Sequence, residues 1–175
     1  MISIIVAISE NNVIGNKNAI PWHITYDLKQ FRRMTEGHTI IVGRTTFEQL
    51  RNAYESRGKP MPDRYNVIVT NQEGYHVDLP KCFVVHSVGE ALEKANEIEG
   101  EEIFISGGAS LFKQTIDLAD RLYLTKVHVT VDGDAFFPDY SRFSKVVSEE
   151  HLEEGEYKFT YSVLERPNDQ SPALP

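Results

Sequence analysis

One carboxylate in the first quarter of the sequence stands among apolar residues. Asp27 lies three positions after Ile24 and four before Phe31, so that a helix would carry all three on one face. Apolar surroundings raise the pKa of a carboxyl group, whereas a position in the first turn of a helix lowers it. Asp27 is therefore a candidate for acid–base chemistry or for binding a ligand. The alternative is a helix cap, in which Thr25 or Asp27 satisfies free N–H groups.

Thr125 is a candidate partner for this carboxylate. By strand alternation, Thr125 faces the same apolar side as Tyr123 and Val127. A buried hydroxyl needs a hydrogen-bond partner, and the carboxylate of Asp27 is a plausible acceptor for it. Threonine is also simply a good strand former, which is the alternative explanation.

Two strand-to-helix transitions have the composition of phosphate-binding segments. One is Gly43-Arg44-Thr45-Thr46, which combines a guanidinium and two hydroxyls with the free N–H groups of a helix start. The other is Ser106-Gly107-Gly108-Ala109-Ser110, whose paired glycines let the backbone approach a ligand closely. Glycine and serine commonly open helices, but two such segments in one α/β chain indicate a long anionic cofactor. The motifs G-x-G-x-x-G and G-x-x-x-x-G-K-[ST] are absent, which predicts an uncommon dinucleotide fold.

The segment from Ser9 to Ile24 has no helical or strand period. It nevertheless contains apolar residues and the only tryptophan, Trp22. Long connections of this kind are often functional lids. The alternative is a loop that packs its apolar side chains on the core.

Short runs rich in valine and isoleucine alternate with amphipathic stretches and must position these residues. Strands are predicted at Ile2–Ile8, Thr39–Val42, Asn66–Thr70, Phe83–Val85 and Glu102–Ile105, and helices at Tyr26–Thr35, Thr45–Leu50, Gly89–Ile98 and Ser110–Asp117. This alternation predicts an α/β fold with a mostly parallel central sheet and helices on both faces. After Arg121 come the strand-like runs Leu122–Val131, Lys145–His151 and Lys158–Leu164, which predict an antiparallel C-terminal edge. We expect one domain over residues 1–166 and an exposed tail at 167–175.

Composition and missing motifs exclude several function classes. Among 175 residues, 26 are acidic and 18 are basic, a net charge of −8 that disfavours nucleic-acid binding. The sequence contains no apolar run long enough to span a membrane and nothing typical of a signal peptide, so we expect a cytoplasmic protein. The six histidines lack metal-ligand spacing, and G-x-S-x-G is absent. Cys82, the single cysteine, is more typical of a small core residue than of a nucleophile.

Several short motifs are spread along the sequence. They are Ile14-Gly15, Ile20-Pro21-Trp22, Asp27-Leu28-x-x-Phe31, Gly43-Arg44-Thr45-Thr46-Phe47-Glu48, Pro60-Met61-Pro62-Asp63-Arg64, Gly107-Gly108, Tyr123-Leu124-Thr125, Asp132-Gly133-Asp134 and Phe137-Pro138. Together these motifs resemble the dihydrofolate reductase family. The resemblance covers residues 1 to about 166. It implies a bacterial-type enzyme in which NADPH transfers hydride to C6 of dihydrofolate while N5 gains a proton. It also implies antifolate inhibitors as ligands.

The resemblance implies roles for Asp27, Trp22 and Thr125 in catalysis. Asp27 would hold the amidine edge of the pterin, Thr125 would bond to Asp27, and Trp22 would order a nearby water and shape the lid. Whether Asp27 delivers the proton or only tunes the water and N5 stays open. The implied substrate contacts are Ile5, Ala7, Ile20, Asp27, Leu28, Phe31, Leu50, Met61, Arg64, Ser106 and Thr125. Arg64 would pair with the α-carboxylate of the glutamate tail.

The implied cofactor contacts gather around the two phosphate segments and the lid. They are Ala7, Ile14, Gly15, Ala19, Ile20, Gly43, Arg44, Thr45, Thr46, Thr70, Asn71, Gln72, Ser106, Gly107, Gly108, Ala109, Ser110, Leu111 and Phe112. Arg44 favours NADPH over NADH, because a 2′-phosphate needs a cation. No metal is implied.

Three departures from the family pattern bear on these expectations. Residues 51–58 form a segment longer than in short bacterial members, which puts the register of Leu50 and Met61 in question. Ser106 stands where an apolar residue is common and Phe112 where tyrosine is frequent. We expect these two to alter inhibitor affinity without removing activity.

Two other functions compete with this interpretation. One is a pterin- or pyrimidine-reducing relative, such as the reductase of riboflavin synthesis, which Arg64 and the pair Trp22 and Asp27 disfavour. The other is a non-catalytic protein that binds NADPH or folate on the same scaffold. A monomer is expected, since no long exposed apolar stripe is left unassigned.

Overall fold

An eight-stranded mixed sheet forms the centre of the computed structural model, which describes residues 1–98 and 100–167. In chain order the elements are β1 (Ile2–Ile8), β2 (Val13–Gly15), α1 (Thr25–Thr35), β3 (Thr39–Gly43), α2 (Arg44–Glu55), β4 (Tyr65–Val69), β5 (Cys82–Val85), α3 (Val88–Ile98), β6 (Ile103–Ile105), α4 (Ala109–Thr115), β7 (Arg121–Val127), β8 (Ala135–Phe136), β9 (Lys145–Glu154) and β10 (Tyr157–Glu165).

The strand order of the sheet is β5-β4-β3-β6-β1-β7-β10-β9. The first six strands in this order are parallel, and β10 and β9 add an antiparallel edge. Residues of the central strands are buried on both faces, as their continuous apolar sequences require, whereas most of β9 is exposed. This confirms the α/β class, the mostly parallel sheet and the antiparallel C-terminal edge.

The core divides between the two faces of the sheet. Alternation along β1 places Ile4 and Ile8 in one apolar cluster and Ile5 in another. The first cluster includes Ala91 of α3 together with residues of α4. Phe31 of α1 and residues of α2 pack against the second. Helices therefore cover both faces, and the carboxyl ends of the parallel strands are left to form a site.

Three element predictions are wrong in ways that have physical causes. Helix α2 continues past Leu50 to Glu55, where Arg51 and Glu55 form an i,i+4 ion pair at 3.5 Å. The strand predicted to reach Val131 ends at Val127, the last residue that pairs in register with β10. One more bond joins the His128 N–H to Lys158 O, and after it Val129 O and Val131 O accept bonds from the loop after β1.

The third difference lies in the predicted irregular segment from Ser9 to Ile24. It contains β2, which forms a short antiparallel ladder with β8. Strands of two or three residues carry too little pattern to be predicted. Other element ends differ from prediction by up to three residues. Of the predicted tail, residues 168–175 lie outside the described residues.

Candidate active site

Asp27 and Thr125 meet although they lie far apart in the sequence. Asp27 is in the first turn of α1, and Thr125 is on β7, paired in register with Ala7 of β1. The Thr125 hydroxyl donates a hydrogen bond of 2.6 Å to Asp27 Oδ1. Asp27 keeps part of its surface open to solvent, yet protein atoms surround the carboxyl group closely. Desolvation raises the pKa of Asp27, and the hydrogen bond from Thr125 offsets part of that rise.

Trp22 lies immediately before α1 and packs in a small apolar cluster. Its neighbours there are Ile24, Val127 and Phe159, and Ala7 packs against the same group. Only 7% of Trp22 is exposed, and its indole N–H has no hydrogen-bond partner among the described residues. This buried donor lies close in sequence to Asp27, at the end of the predicted lid.

Arg64 is the largest fully buried polar residue of the site. Its Nη1 donates to Thr35 Oγ1 at 2.7 Å, and its guanidinium lies 4.8 Å from the centre of the Phe31 ring. Burial lowers the pKa of Arg64 to about 10, so the group is still a cation at neutral pH. Within the described residues, Nε–H and Nη2–H have no acceptor. These two donors form one edge of the guanidinium and fit a carboxylate in bidentate geometry.

The other predicted substrate contacts fall into different environments. Phe31, Leu50 and Met61 pack against the cluster that contains Ile5, so the longer 51–58 segment does not displace Leu50 or Met61 from it. Leu28 and Ile20 are 42% and 57% exposed. Through Phe31, which follows Asp27 by one helical turn on α1, the apolar cluster contacts the guanidinium of Arg64.

A cleft of about 590 Å³ opens at the carboxyl ends of the parallel strands. The two phosphate segments form its floor and are joined directly, because Gly43 N–H donates to Gly107 O at 2.7 Å. Gly107 has a φ of +113°, in the region that favours glycine. A Cβ on Gly108 would lie 3.3 Å from Thr46 Oγ1, so the two segments approach as closely as glycine allows.

Most of the predicted cofactor contacts line this cleft. They are Ile14, Gly15, Ala19, Ile20, Gly43, Arg44, Thr45, Thr46, Thr70, Asn71, Gly108, Ala109, Ser110 and Leu111. Five others do not line it: Ala7, Gln72, Ser106, Gly107 and Phe112. Gly107 and Phe112 are buried beneath the segment that does, and Ser106 has a buried hydroxyl without a partner among the described residues.

Sequence reasoning missed several residues of the cleft wall. They are Asn18, Gln49, Val69, His86, Ser87, Val88, Gln114, Asp134 and Ala135. His86 to Val88 follow β5, so the rule that ligands lie at carboxyl ends of parallel strands could have found them. Asp134 and Ala135 have no such signal, because only the unpredicted pairing of β8 with β2 brings them there.

The cleft is rich in groups that donate hydrogen bonds to phosphate. It combines hydroxyls and helix-start amides with Arg44, which forms an ion pair of 3.1 Å with Glu48 and keeps about a third of its side chain exposed. Among the cleft-lining residues described, Arg44 is the one permanent cation. Such a donor set fits a phosphorylated dinucleotide.

The described parts of the chain contain neither a cluster of metal-binding side chains nor a membrane-spanning helix. In residues 1–98 and 100–167, no three His, Cys, Asp or Glu side chains are grouped so that they could hold a metal ion. Within the same ranges, no helix is long and apolar enough to cross a bilayer.

The sheet and the donor-rich cleft at the carboxyl ends of its strands are those of an α/β protein that can hold a phosphorylated cofactor. A family model described as dihydrofolate reductase matches residues 1–166. The chain is 37% identical over 172 residues to the dihydrofolate reductase of Bacillus subtilis (strain 168), which covers 96% of each chain. It is 36% identical over 168 residues to dihydrofolate reductase type A13 of Escherichia coli, with 95% of each covered.

A solved structure shows the same similarity in three dimensions. It is the dihydrofolate reductase of Enterococcus faecalis, complexed with NADP(H) and RAB-propyl. The TM-score is 0.80 at 34% identity, with 96% of this chain and 97% of that chain covered. The chain belongs to the dihydrofolate reductase family, which confirms the resemblance found in the sequence.

Proposed function

We propose that the two halves of this site bind two ligands, NADPH in the cleft and 7,8-dihydrofolate along α1. The reaction is NADPH-dependent reduction of 7,8-dihydrofolate to 5,6,7,8-tetrahydrofolate. Membership of the family and the NADP(H) in the Enterococcus faecalis relative support this assignment. The product supplies one-carbon and thymidylate metabolism.

One observation carries the substrate proposal: helix α1 has a chemically different group at each end. Asp27 is in its first turn, and Thr35, its last residue, holds Arg64. Thr35 lies eight positions after Asp27, a rise of about 12 Å along the helix. Dihydrofolate has an amidine-type edge on its pterin and carboxylates on its glutamate tail. Asp27 would accept hydrogen bonds from that edge, and the two unpaired N–H groups of Arg64 would bind the α-carboxylate.

The residues that would hold NADPH are those of the two joined phosphate segments. The hydroxyls of Thr45, Thr46 and Ser110 and the amides around Gly108 would donate to the pyrophosphate. Arg44 would face the 2′-phosphate. When bound, NADPH supplies the hydride that reduces C6. The chain contributes alignment of the two rings and exclusion of water beneath the segment from Ser9 to Ile24.

Proton delivery to N5 involves Asp27 in the first turn of α1. The raised pKa of Asp27 lets this carboxyl hold a proton at higher pH than an exposed aspartate. The unpaired indole N–H of Trp22 could bind a water beside it. Asp27 therefore either supplies the proton directly or polarises such a water, while Thr125 keeps the carboxyl group oriented.

The test is a direct spectrophotometric assay on the purified chain. Loss of reduced-nicotinamide absorbance is expected only when NADPH and dihydrofolate are both present, and far more slowly with NADH. If NADPH binds without loss of absorbance, the substrate assignment is wrong, and the pyrimidine substrate of riboflavin synthesis is the next to test. No turnover with either substrate would indicate a non-catalytic binder.

We also propose that residues 1–166 form one domain and that the protein is a cytoplasmic monomer. The sheet supports one domain, because β1 from the start of the chain pairs between β6 and β7. Light scattering on a size-exclusion column tests the monomer, and a mass of two chains would overturn it.

A further inference from the structure

The first turn of α1 is capped by a residue from the opposite end of the chain. Ile24, at the N-cap position, makes no side-chain cap bond. Instead Glu154, the last residue of β9, accepts hydrogen bonds from the first two amides of the helix. The Thr25 N–H bonds to Oε1 at 2.7 Å and the Tyr26 N–H to Oε2 at 2.9 Å. Both carboxylate oxygens of Glu154 are therefore used to start this helix.

The charge of Glu154 suits this position. A helix start carries unpaired N–H groups and the positive end of the helix dipole, which together stabilise an anion. The bonds from the amides of Thr25 and Tyr26 lower the pKa of Glu154, so it is ionised at neutral pH. The other charged or titratable groups that interact with this turn are His23, Arg33, Glu150, Tyr161 and Asp27.

A second link joins the same helix turn to the β9–β10 hairpin. The ring of Tyr26 lies 5.6 Å from that of Phe159, and the Tyr26 hydroxyl donates to Glu150 Oε2 at 3.2 Å. Within the helix, the first backbone bond, from Leu28 N–H to Ile24 O, is long at 3.3 Å. The hairpin therefore supplies the capping bonds at the start of α1 that the N-cap residue does not make.

Asp27 is the next residue after these two capped amides. Thr125 holds its carboxyl group, but the backbone from which the side chain projects belongs to the turn that Glu154 closes. We propose that Glu154 is a positioning residue for the reaction: by capping α1 it fixes the place of Asp27 in the folate half of the site. No α1 residue lines the cofactor cleft, so the effect is confined to the folate half.

The test compares Glu154→Gln and Glu154→Ala with the control Glu153→Gln. Glu153 is the exposed neighbouring residue on β9. Glutamine keeps one acceptor oxygen and alanine keeps none. Losing a cap of this kind corresponds to about a fivefold effect. We expect kcat/KM for dihydrofolate to fall about fivefold in Glu154→Ala and less in Glu154→Gln, with the Kd for NADPH unchanged.

The pH profile gives a readout that a purely structural role would not move. Removing the negative charge of Glu154 uncovers the positive end of the helix beside Asp27, and both changes favour the ionised carboxyl. The apparent pKa of kcat/KM is therefore expected to fall by about half a unit in both Glu154 variants. It stays in place in Glu153→Gln.

This inference rests on the proposed role of Asp27, and amide exchange separates the two. Hydrogen exchange at Thr25 and Tyr26 in the ligand-free protein should accelerate in Glu154→Gln without any need for turnover. Faster exchange with unchanged kcat/KM and pH profile would overturn the positioning role. A loss of NADPH affinity as large as the loss of kcat/KM, together with lower thermal stability, would also overturn it, because it would show general destabilisation. A wild-type protein that does not reduce dihydrofolate would instead overturn the proposed function.

Discussion

The two proposed halves of the site, one for the cofactor and one for folate, are built in different ways. The cofactor half consists mainly of backbone and hydroxyl groups from two contiguous segments, joined by the bond from Gly43 N–H to Gly107 O. The folate half depends on side-chain pairs between distant residues: Thr125 with Asp27 across 98 positions, and Arg64 with Thr35 across 29. In the first half, many hydrogen-bond donors each contribute a little to ligand binding. In the second half, a few buried charged groups contribute most of it, so single substitutions there should weaken binding or catalysis more.

The largest expected effect is that of Asp27→Asn on catalysis. Asparagine keeps the Oδ1 acceptor for Thr125 but removes the charge and the titratable proton. We expect kcat/KM for dihydrofolate at pH 7 to fall by about 10²- to 10⁴-fold, the usual contribution of an acid–base group. Steady-state kinetics measure kcat/KM for dihydrofolate, and fluorescence titration measures the binding of NADPH, so that the two halves are tested separately. A similar fall in Asp78→Asn, an exposed aspartate, would contradict the assignment.

Arg64→Lys should have the next largest effect. Lysine keeps the charge but lacks the two parallel N–H donors of the guanidinium edge. Because a hydrogen bond to a charged group contributes about 1.5–3 kcal/mol, KM for dihydrofolate should rise roughly 10- to 100-fold with a smaller change in kcat. A substrate lacking the glutamate should lose this difference between wild type and variant. Arg142→Lys, an exposed arginine, is the matched control.

Arg44→Gln tests the other half and should have a smaller effect. Arg44 is partly exposed and already paired with Glu48, so solvent and that carboxylate screen its charge. We expect KM for NADPH to rise about 10-fold and KM for NADH to change little. An equal rise for both cofactors would show that Arg44 does not read the 2′-phosphate. A rise in KM for dihydrofolate instead would show that the two halves are not independent.

The smallest expected effect concerns stability. Because burial raises the pKa of Asp27 in the folded protein, the ionised carboxyl destabilises the fold once the pH rises through that pKa. Asp27→Asn should therefore unfold at a higher temperature than wild type at pH 8, by about 2–4 °C for each 1 kcal/mol relieved. At pH 3 the side chain at position 27 is neutral in both wild type and variant, so the difference in unfolding temperature should vanish. Thermal unfolding at the two pH values tests the sign, and a stabilisation that persists at pH 3 would have another cause.

How far the sequence predicts each half follows from the same contrast. Gly43 to Thr46 and Gly107 to Ser110 are contiguous, and their strand-to-helix context can be recognised locally. The apolar setting of Asp27 was also predicted from helical spacing. The cap from Glu154 was not, since it depends on where the end of β9 lies relative to α1. The burial of Arg64 against Phe31 and Thr35 likewise could not be predicted from the sequence, because hydropathy patterns do not indicate that an arginine is buried.

The central place of β1 affects how the chain can fold while it is being synthesised. Both neighbours of β1 come about a hundred residues later: Ile2 pairs with Ile103, and Ser3 pairs with Arg121. At roughly 10 residues per second, the apolar strand Ile2–Ile8 leaves the ribosome about ten seconds before either partner strand does. During that interval its backbone groups are unpaired and its isoleucines are exposed, which is the condition under which nascent chains aggregate or recruit chaperones.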